Sequence, residues 1–398
     1  MGSVRYVDRP PQTCDLVVVG GGVVGAATAF YAARAGLDVL LVERRPALCT
    51  LTTPASTGAF RLQLDNLEEL QLVRESLDLF LRFQEVTRQD AYDLGVRQQG
   101  YLFATTDPER AAWQRDLVAR QHAWGQTDVE ILDGDEVRRR WPWIAGNVVQ
   151  ARWRAGDGFL DPKELTFGLA AGSGAAVLTG TGVTGFAVDG DRLSGVRTTA
   201  GAVSTRCAVI ACGPLSGELA RTIGVVLPIE TVTRQKLVLP DVPEVPQEAP
   251  MTIDDETGVH WRPALRGASV LFTDPRTPPS PPTDRVPIDP GFAFEVLSPD
   301  SATSVGRIVP FWNDVWNRGS VLWMLQSGQY TNTPDHRPLL GPLPVEGLFV
   351  NTGYSGHGIM GSPAGSRHLV DVLLGKIAPE ANPFRVDRTF ETRTFDRL

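Results

Sequence analysis

What this chain has little of narrows its class before any motif is read. No apolar run approaches the roughly 20 residues that a bilayer span needs, so no membrane span is expected. Cysteine is sparse: Cys14, Cys49, Cys207 and Cys212 have neither metal-ligand spacing nor the density of a disulfide framework. Nothing ahead of the first apolar strand reads as a secretory segment, and a reduced, cytoplasmic protein is the simplest expectation. The five histidines, His122, His260, His336, His357 and His368, form no paired motif, so no metal site is expected. Positive charge is short as well. The formal net charge of -8 and the isoelectric point near 5.3 argue against nucleic acid or an anionic membrane as partner. Lysine occurs only at Lys163, Lys236 and Lys376, so arginine supplies nearly all the cations.

What is present is concentrated at the front. Residues 15–29 read Asp15-Leu-Val-Val-Val-Gly20-Gly-Gly22-Val-Val-Gly25-Ala-Ala-Thr-Ala29, followed by Gly36-Leu-Asp-Val-Leu-Leu-Val-Glu43. Val17 to Val19 suit a buried parallel strand, and Gly20 permits a sharp turn after it. Gly22 carries no side chain, so a pyrophosphate can approach the N-terminus of the following helix, where free N–H groups and the macrodipole favour an anion. Gly25 lets that helix pack close to the sheet. Glu43, about 20 residues on, ends the second strand, where a carboxylate can accept from both ribose hydroxyls and disfavours a 2′-phosphate. An ordinary βα turn would explain Gly20 but not Gly22. A dinucleotide site and redox chemistry follow.

The 398 residues allow two cores. Apolar spacing predicts one long amphipathic helix over 67–87, and residues 93–105 read as a strand of a separate, antiparallel layer. A charged helix is expected over 108–124, then a polar segment to Trp143. Asp161-Pro162 opens a helix over 163–171, strands alternate with turns over 175–210 with a hairpin at Asp189-Gly190, and residues 275–290 form a Pro-rich surface loop. A strand over 348–353, a glycine-rich turn over 354–361 and a helix over 362–374 return to the nucleotide-binding style. The fold class is therefore α/β, with a discontinuous nucleotide domain over 1–88, 145–222 and 325–398 and a second domain over 89–144 and 223–324.

Four segments resemble one family in its own order and over nearly the whole chain. They are the glycine turn, Val209-Ile-Ala-Cys-Gly-Pro214-Leu-Ser, Tyr330-Thr-Asn-Thr-Pro-Asp335-His-Arg-Pro338 and Gly353-Tyr-Ser-Gly-His357-Gly-Ile-Met-Gly-Ser-Pro363. Together they resemble the FAD-dependent amine and amino-acid oxidoreductases, which include sarcosine oxidase, glycine oxidase, D-amino-acid oxidase, dimethylglycine dehydrogenase and the β subunit of dye-linked L-proline dehydrogenase. The resemblance implies a glutathione-reductase-type FAD-binding Rossmann domain and an antiparallel-sheet substrate domain covering the flavin. It places Gly20, Gly22 and Gly25 at the pyrophosphate, Glu43 and Arg44 at the ribose, and the Val183 backbone at the adenine. Ser56, Thr57 and Arg61 fall in the loop beside the pyrophosphate and isoalloxazine, Gly213 in the second glycine segment. Gly353, Gly356, His357, Gly358, Ile359 and Met360 match the turn against the pyrimidine end of the flavin.

Two departures matter. Relatives with a cysteinyl flavin have Cys where this chain has Gly328, and no histidine lies in 52–58, so FAD is expected without a covalent bond. Cys49 is the nearby nucleophile and is expected to be a buried thiol. Where sarcosine oxidase has a carboxylate-binding lysine, this chain has Met360, which leaves Arg61 or Arg262 as the anchor for any substrate carboxylate. The resemblance implies transfer of a hydride from the C–H beside a neutral amine nitrogen to flavin N5, giving an imine, with reoxidation by O2 or another acceptor. His357, Arg61 and Tyr330 are the candidate catalytic residues, His357 as base or, as its glycine neighbours favour, as a turn residue. Tyr101, Trp261, Trp312 and Tyr330, with Arg61 and Arg262, are the candidate substrate contacts. A 2-hydroxy-acid dehydrogenase and a flavoprotein subunit or assembly factor without turnover stay open, as do the acceptor and the oligomeric state.

Overall fold

The computed structural model describes residues 3–391. Its first layer is a seven-stranded sheet gathered from across the chain. The order is Arg5–Tyr6, Ala176–Leu178, Val39–Val42, Leu16–Val19, Ala208–Ile210, Leu348–Thr352 and Leu339–Pro342. All pairs are parallel except the last. Leu16 to Val19 and Val39 to Val42 are buried along their whole length, as parallel strands covered on both faces must be. One face carries the helices Val23–Arg34, Pro162–Ser173 and Gly358–Leu373, the other a three-stranded meander starting at Val183. The hairpin turn at Gly190 falls between Val183–Asp189 and Arg192–Thr198.

The second layer is an eight-stranded sheet. Its order is Met324–Asn332, Glu230–Leu239, Gly267–Phe272, Val259–Ala264, Met251–Asp254, Tyr101–Thr105, Gln150–Arg154 and Glu130–Asp133. It is mixed rather than purely antiparallel, because Met251–Asp254 and Tyr101–Thr105 run parallel. The strands Gln150–Arg154 and Met324–Asn332 pair here, so the expected boundaries at 145 and 325 cut through the second sheet. Residues alternate between its faces. Leu102, Leu237, Trp261 and Val270 pack into the outer core, while Tyr101, Phe103, Met251 and Ile253 form a separate cluster with Ala59 on the face toward the first layer.

Four local expectations change. The long helix breaks at Arg82 into Leu67–Leu81 and Phe83–Thr87, which lets the Phe83 ring pack on Gly168. The strand expected from residue 93 begins at Tyr101, after an isolated bridge at Arg97. The polar segment before Trp143 holds the edge strand Glu130–Asp133 and the helix Gly134–Arg140, capped by the Asp133 side chain. An edge strand with only one buried residue shows no apolar alternation. The last helix starts at Gly358, four residues early, because its glycines at 361 and 365 accommodate the Tyr354 ring; tertiary packing overrides their poor propensity.

Candidate functional site

An elongated cavity of about 360 Å³ runs from the carboxyl ends of the parallel strands to the second sheet. One end is built from backbone. Gly20 has φ +117°, and a Cβ there would lie 2.4 Å from the Ala211 carbonyl oxygen. Gly21 and Gly22 line the cavity; Gly25 does not, and instead packs under the Gly20 carbonyl, where a Cβ would lie 1.7 Å away. No side chain caps the Val23–Arg34 helix, and Thr53 Oγ1 takes only the Val23 N–H, at 3.2 Å. Its remaining first-turn N–H groups need an external acceptor, which is what a diphosphate provides. Glu43 accepts from the Gly21 N–H at 2.6 Å and from the Arg45 N–H at 2.7 Å, one on each oxygen. Each oxygen keeps a lone pair for a ribose hydroxyl. Val183 and Thr184 close this end, and Arg44 stands exposed beside it, paired with Asp284 at 3.3 Å. The residues therefore fit an FAD.

The Pro-rich loop packs behind three residues that line the cavity, Arg45, Arg234 and Gln329. Arg45 donates to the Asp284 carbonyl at 2.8 Å, Gln329 donates to the Pro281 carbonyl at 2.8 Å and accepts from the Thr283 N–H at 2.9 Å, and Arg234 donates to Thr277 Oγ1 at 2.6 Å.

The other end mixes glycine backbone with side chains. Ser56, Gly213, Gly328, Tyr330, Gly353, Gly356, Gly358 and Ile359 line it. Gly356 has φ +95° and lies flat against the Tyr330 ring, 2.7 Å from where a Cβ would be. Met360 is turned into the core of the first layer, 4% exposed, and does not reach the cavity. Thr57 is buried behind the wall, its carbonyl accepting from Arg262 Nε at 2.7 Å. Lys236 Nζ donates to the Pro54 and Ser56 carbonyls, both at 2.8 Å. Two cations from the second sheet thus hold the loop over residues 54–57.

Sheet parity decides which aromatics face inward. Trp261 and Trp312, expected at the pocket wall, are 1% and 0% exposed in the outer core, ring against ring at 5.7 Å. Among the candidate substrate contacts only Tyr330 lines the cavity; Arg61, Tyr101 and Arg262 do not. His260 and Arg262 flank Trp261 in the strand, so they turn to the inner face, where Tyr101 and Lys236 also lie. Burial pushes the Lys236 ammonium down to about 8, with Arg262 adding repulsion. It pushes the Arg262 guanidinium down to about 10 and His260 down to about 4, so His260 is neutral near pH 7. Arg234, also held below its usual range by burial, has an Nε with no partner. Among the described residues no carboxylate pairs with Arg234, Lys236 or Arg262.

Arg61 and His357 meet at 3.4 Å, Nη2 to Nε2, and Arg61 is stacked 5.5 Å over the Phe103 ring. The far ring nitrogen of His357 lies 2.5 Å from a Glu69 carboxylate oxygen. Glu69 escaped the sequence reading. Its only signal is Asn66-x-x-Glu69, a helix-capping pattern with a sufficient local explanation. Cys49 lines the cavity, but burial pushes its thiol up to about 11 and keeps it protonated. No helix among the described residues is long and apolar enough to cross a membrane.

Comparison with known proteins agrees with this geometry. The chain is 25% identical over 413 residues to FAD-dependent oxidoreductase domain-containing protein 1 of Xenopus laevis, covering 92% of this chain and 80% of that one. It is 28% identical over 391 residues to the mitochondrial dimethylglycine dehydrogenase of Mus musculus, covering 92% of this chain but only 43% of that protein, so it spans under half of that relative. The fold is similar to L-proline dehydrogenase from P. horikoshii, with a TM-score of 0.81 at 22% identity over 95% of this chain and 96% of that one. Residues 15–372 match the model of the family described as FAD dependent oxidoreductase. With a glycine cradle, a ribose carboxylate and a matching family model over the same residues, this chain belongs to the FAD-dependent oxidoreductases of the DAO family.

Proposed function

We propose that this protein oxidises the C–N bond of a small amine or amino acid, with secondary amines as the first class to test, to an imine that water hydrolyses to a carbonyl compound and an amine. Bound FAD supplies the hydride acceptor at N5, and O2 or another acceptor takes the two electrons onward. The observation that carries the reading is the set of buried cations on the inner sheet face. Arg262, Lys236 and Arg234 form no ion pair with a carboxylate among the described residues, and Asp161 and Asp274 act on them only at a distance, so this face favours an acid group on the substrate. Arg61 and Arg262 are the anchors we assign to it.

The same cations prepare the nitrogen. Burial and like charge both lower the pKa of a bound ammonium, so the free-base amine, with its lone pair available, is the favoured form. Tyr330 lines the cavity, and Tyr101 lies on the inner face of the second sheet. Burial raises both phenols, and they stay protonated as hydrogen-bond donors. His357 is held between Glu69 and Arg61, which supports an orienting role rather than that of base. With glycine at 328 and the Cys49 thiol protonated, FAD is held by contacts alone. Four free thiols suit a reducing compartment, and we assign the cytoplasm.

The test is a spectrum of the purified protein followed by anaerobic titration with secondary amines and amino acids, with peroxide detection in air. Bleaching of bound flavin by nitrogen donors is the expected result. Bleaching by 2-hydroxy acids alone overturns the amine reading in favour of C–OH oxidation. Bound flavin that no donor reduces, in a protein that elutes with a stable partner, makes it a subunit or assembly factor instead.

A further inference from the structure

We propose that Glu69 is a positioning residue. It sets which ring nitrogen of His357 carries the proton and thereby presents Arg61 as the hand that receives the substrate carboxylate. The Arg61 step rests on the amino-acid reading above; the His357 step does not.

Glu69 sits in the first turn of the Leu67–Leu81 helix, whose N-cap is Asn66. The Asn66 side-chain oxygen accepts from the Glu69 N–H at 2.8 Å, and the Asn66 amide donates to Glu69 Oε2 at 3.0 Å. That reciprocal cap satisfies the helix end, and a glutamate serving only as a cap belongs at the surface. Glu69 is 3% exposed instead. Its second oxygen lies 2.5 Å from His357 Nδ1. Burial alone would raise this carboxyl. The neighbouring His357, its hydrogen bond, Asn66 and Arg61 outweigh burial and hold the carboxyl below its usual range, so Glu69 is an anion.

Across the ring, His357 Nε2 faces Arg61 Nη2 at 3.4 Å. A carboxylate can only accept and a guanidinium can only donate. Both neighbours therefore demand the same arrangement, a proton on Nδ1 and a lone pair on Nε2. The opposite tautomer sets a lone pair against the Glu69 oxygen and an N–H against an N–H of Arg61. The preference passes along the chain of contacts to the guanidinium, which is 2% exposed, donates from Nη1 to the Gln63 carbonyl and lies over Phe103. Phe103 belongs to the inner-face cluster with Tyr101. Glu69 thus acts on Arg61 through the His357 ring as well as by its own charge. His336 lies within electrostatic reach of His357, Asp65, Glu69 and Asp335.

The first test reads the tautomer directly. In the FAD-loaded protein labelled with 15N-histidine, the His357 signals, identified by their loss in His357→Gln, should show a protonated Nδ1 and an unprotonated Nε2. Glu69→Gln keeps the size and the cap but loses the pure acceptor, and should shift His357 toward the other tautomer. The second test is kinetic. For an amine bearing a carboxylate, Glu69→Gln should raise KM about tenfold and leave kcat within about threefold, while a neutral amine of the same size is unaffected. Glu69→Asp, which restores the acceptor, should recover part of the KM. A His357 protonated at Nε2 in the parent protein, or an unchanged tautomer in Glu69→Gln, overturns the proposal. A KM that rises equally for charged and neutral amines reduces Glu69 to a structural cap. If no amine is oxidised at all, the function reading fails and the NMR result alone decides for or against the tautomer.

Discussion

The two ends of the cavity are built in different currencies. At the FAD end the contacts come from main chain: glycine turns, helix N–H groups and one carboxylate that itself clasps the backbone of Gly21 and Arg45. At the substrate end side chains from separate segments set the shape: Lys236 and Arg262 reach from the second sheet to hold the loop over 54–57, and Arg61 is set against His357 and Phe103. A backbone site tolerates almost any sequence that keeps its glycines, and so serves one invariant ligand. A side-chain site can be rebuilt residue by residue, and so is where substrate choice resides.

That contrast breaks if variants of one end disturb the other. The largest effect is expected from Gly20→Val, because a side chain would collide with the Ala211 carbonyl at a φ of +117°. Purified protein should hold less than about one-hundredth of the parent FAD affinity, roughly 3 kcal/mol, measured by flavin fluorescence on titration. Full retention of FAD would remove the backbone cradle from the account.

Arg61→Met should act on the other end. Loss of a charge-assisted contact is expected to raise KM for a carboxylate-bearing amine about 30-fold, within the usual 1.5–3 kcal/mol for such bonds, with the FAD content unchanged. Parallel loss of FAD would show that the two ends are one unit.

Lys236 joins the ends, since it holds the loop over 54–57 from the second sheet. Lys236→Met should weaken FAD binding about fivefold, a free-energy change near that of one net hydrogen bond. The pH dependence has a definite sign. The ammonium falls from its usual 10.5 to about 8 in the folded chain, so between those values the unfolded chain binds more protons. Stability should therefore rise with pH from about 8 to 10.5 in the parent protein, and the slope should flatten in Lys236→Met, as read from urea midpoints. A steeper slope in the variant would contradict the burial of this amine.

Asp284→Asn is expected to do least. Its ion pair with Arg44 is 40% and 47% exposed, so FAD release should quicken by no more than about threefold and the difference should vanish in high salt.

Legibility in sequence follows the same divide. Gly20, Gly22, Gly25 and Glu43 could be placed from spacing because strand, turn and helix are contiguous, and local geometry turns sequence distance into spatial distance. Trp261 misled because size drew attention while parity decides direction. In a strand one step separates the inner face from the outer core, and His260 and Arg262 hold the inner positions. Met360 misled in the same way, by one place on a helix. Glu69 drew no notice, because Asn66-x-x-Glu69 is an ordinary capping pattern and nothing along the chain announces a histidine 288 residues away.

By itself the sequence determined a two-layer α/β protein with a dinucleotide cradle at its front, because backbone turns, helix starts and a strand-end acid act over a few neighbours. Tertiary structure alone decided which side chains share the chamber. Their meeting depends on how two sheets built from discontinuous segments face each other, and on the strand register that turns each side chain inward or outward. The charge of that inner face is a sum over residues from distant segments, and it exists only once the fold has brought them together.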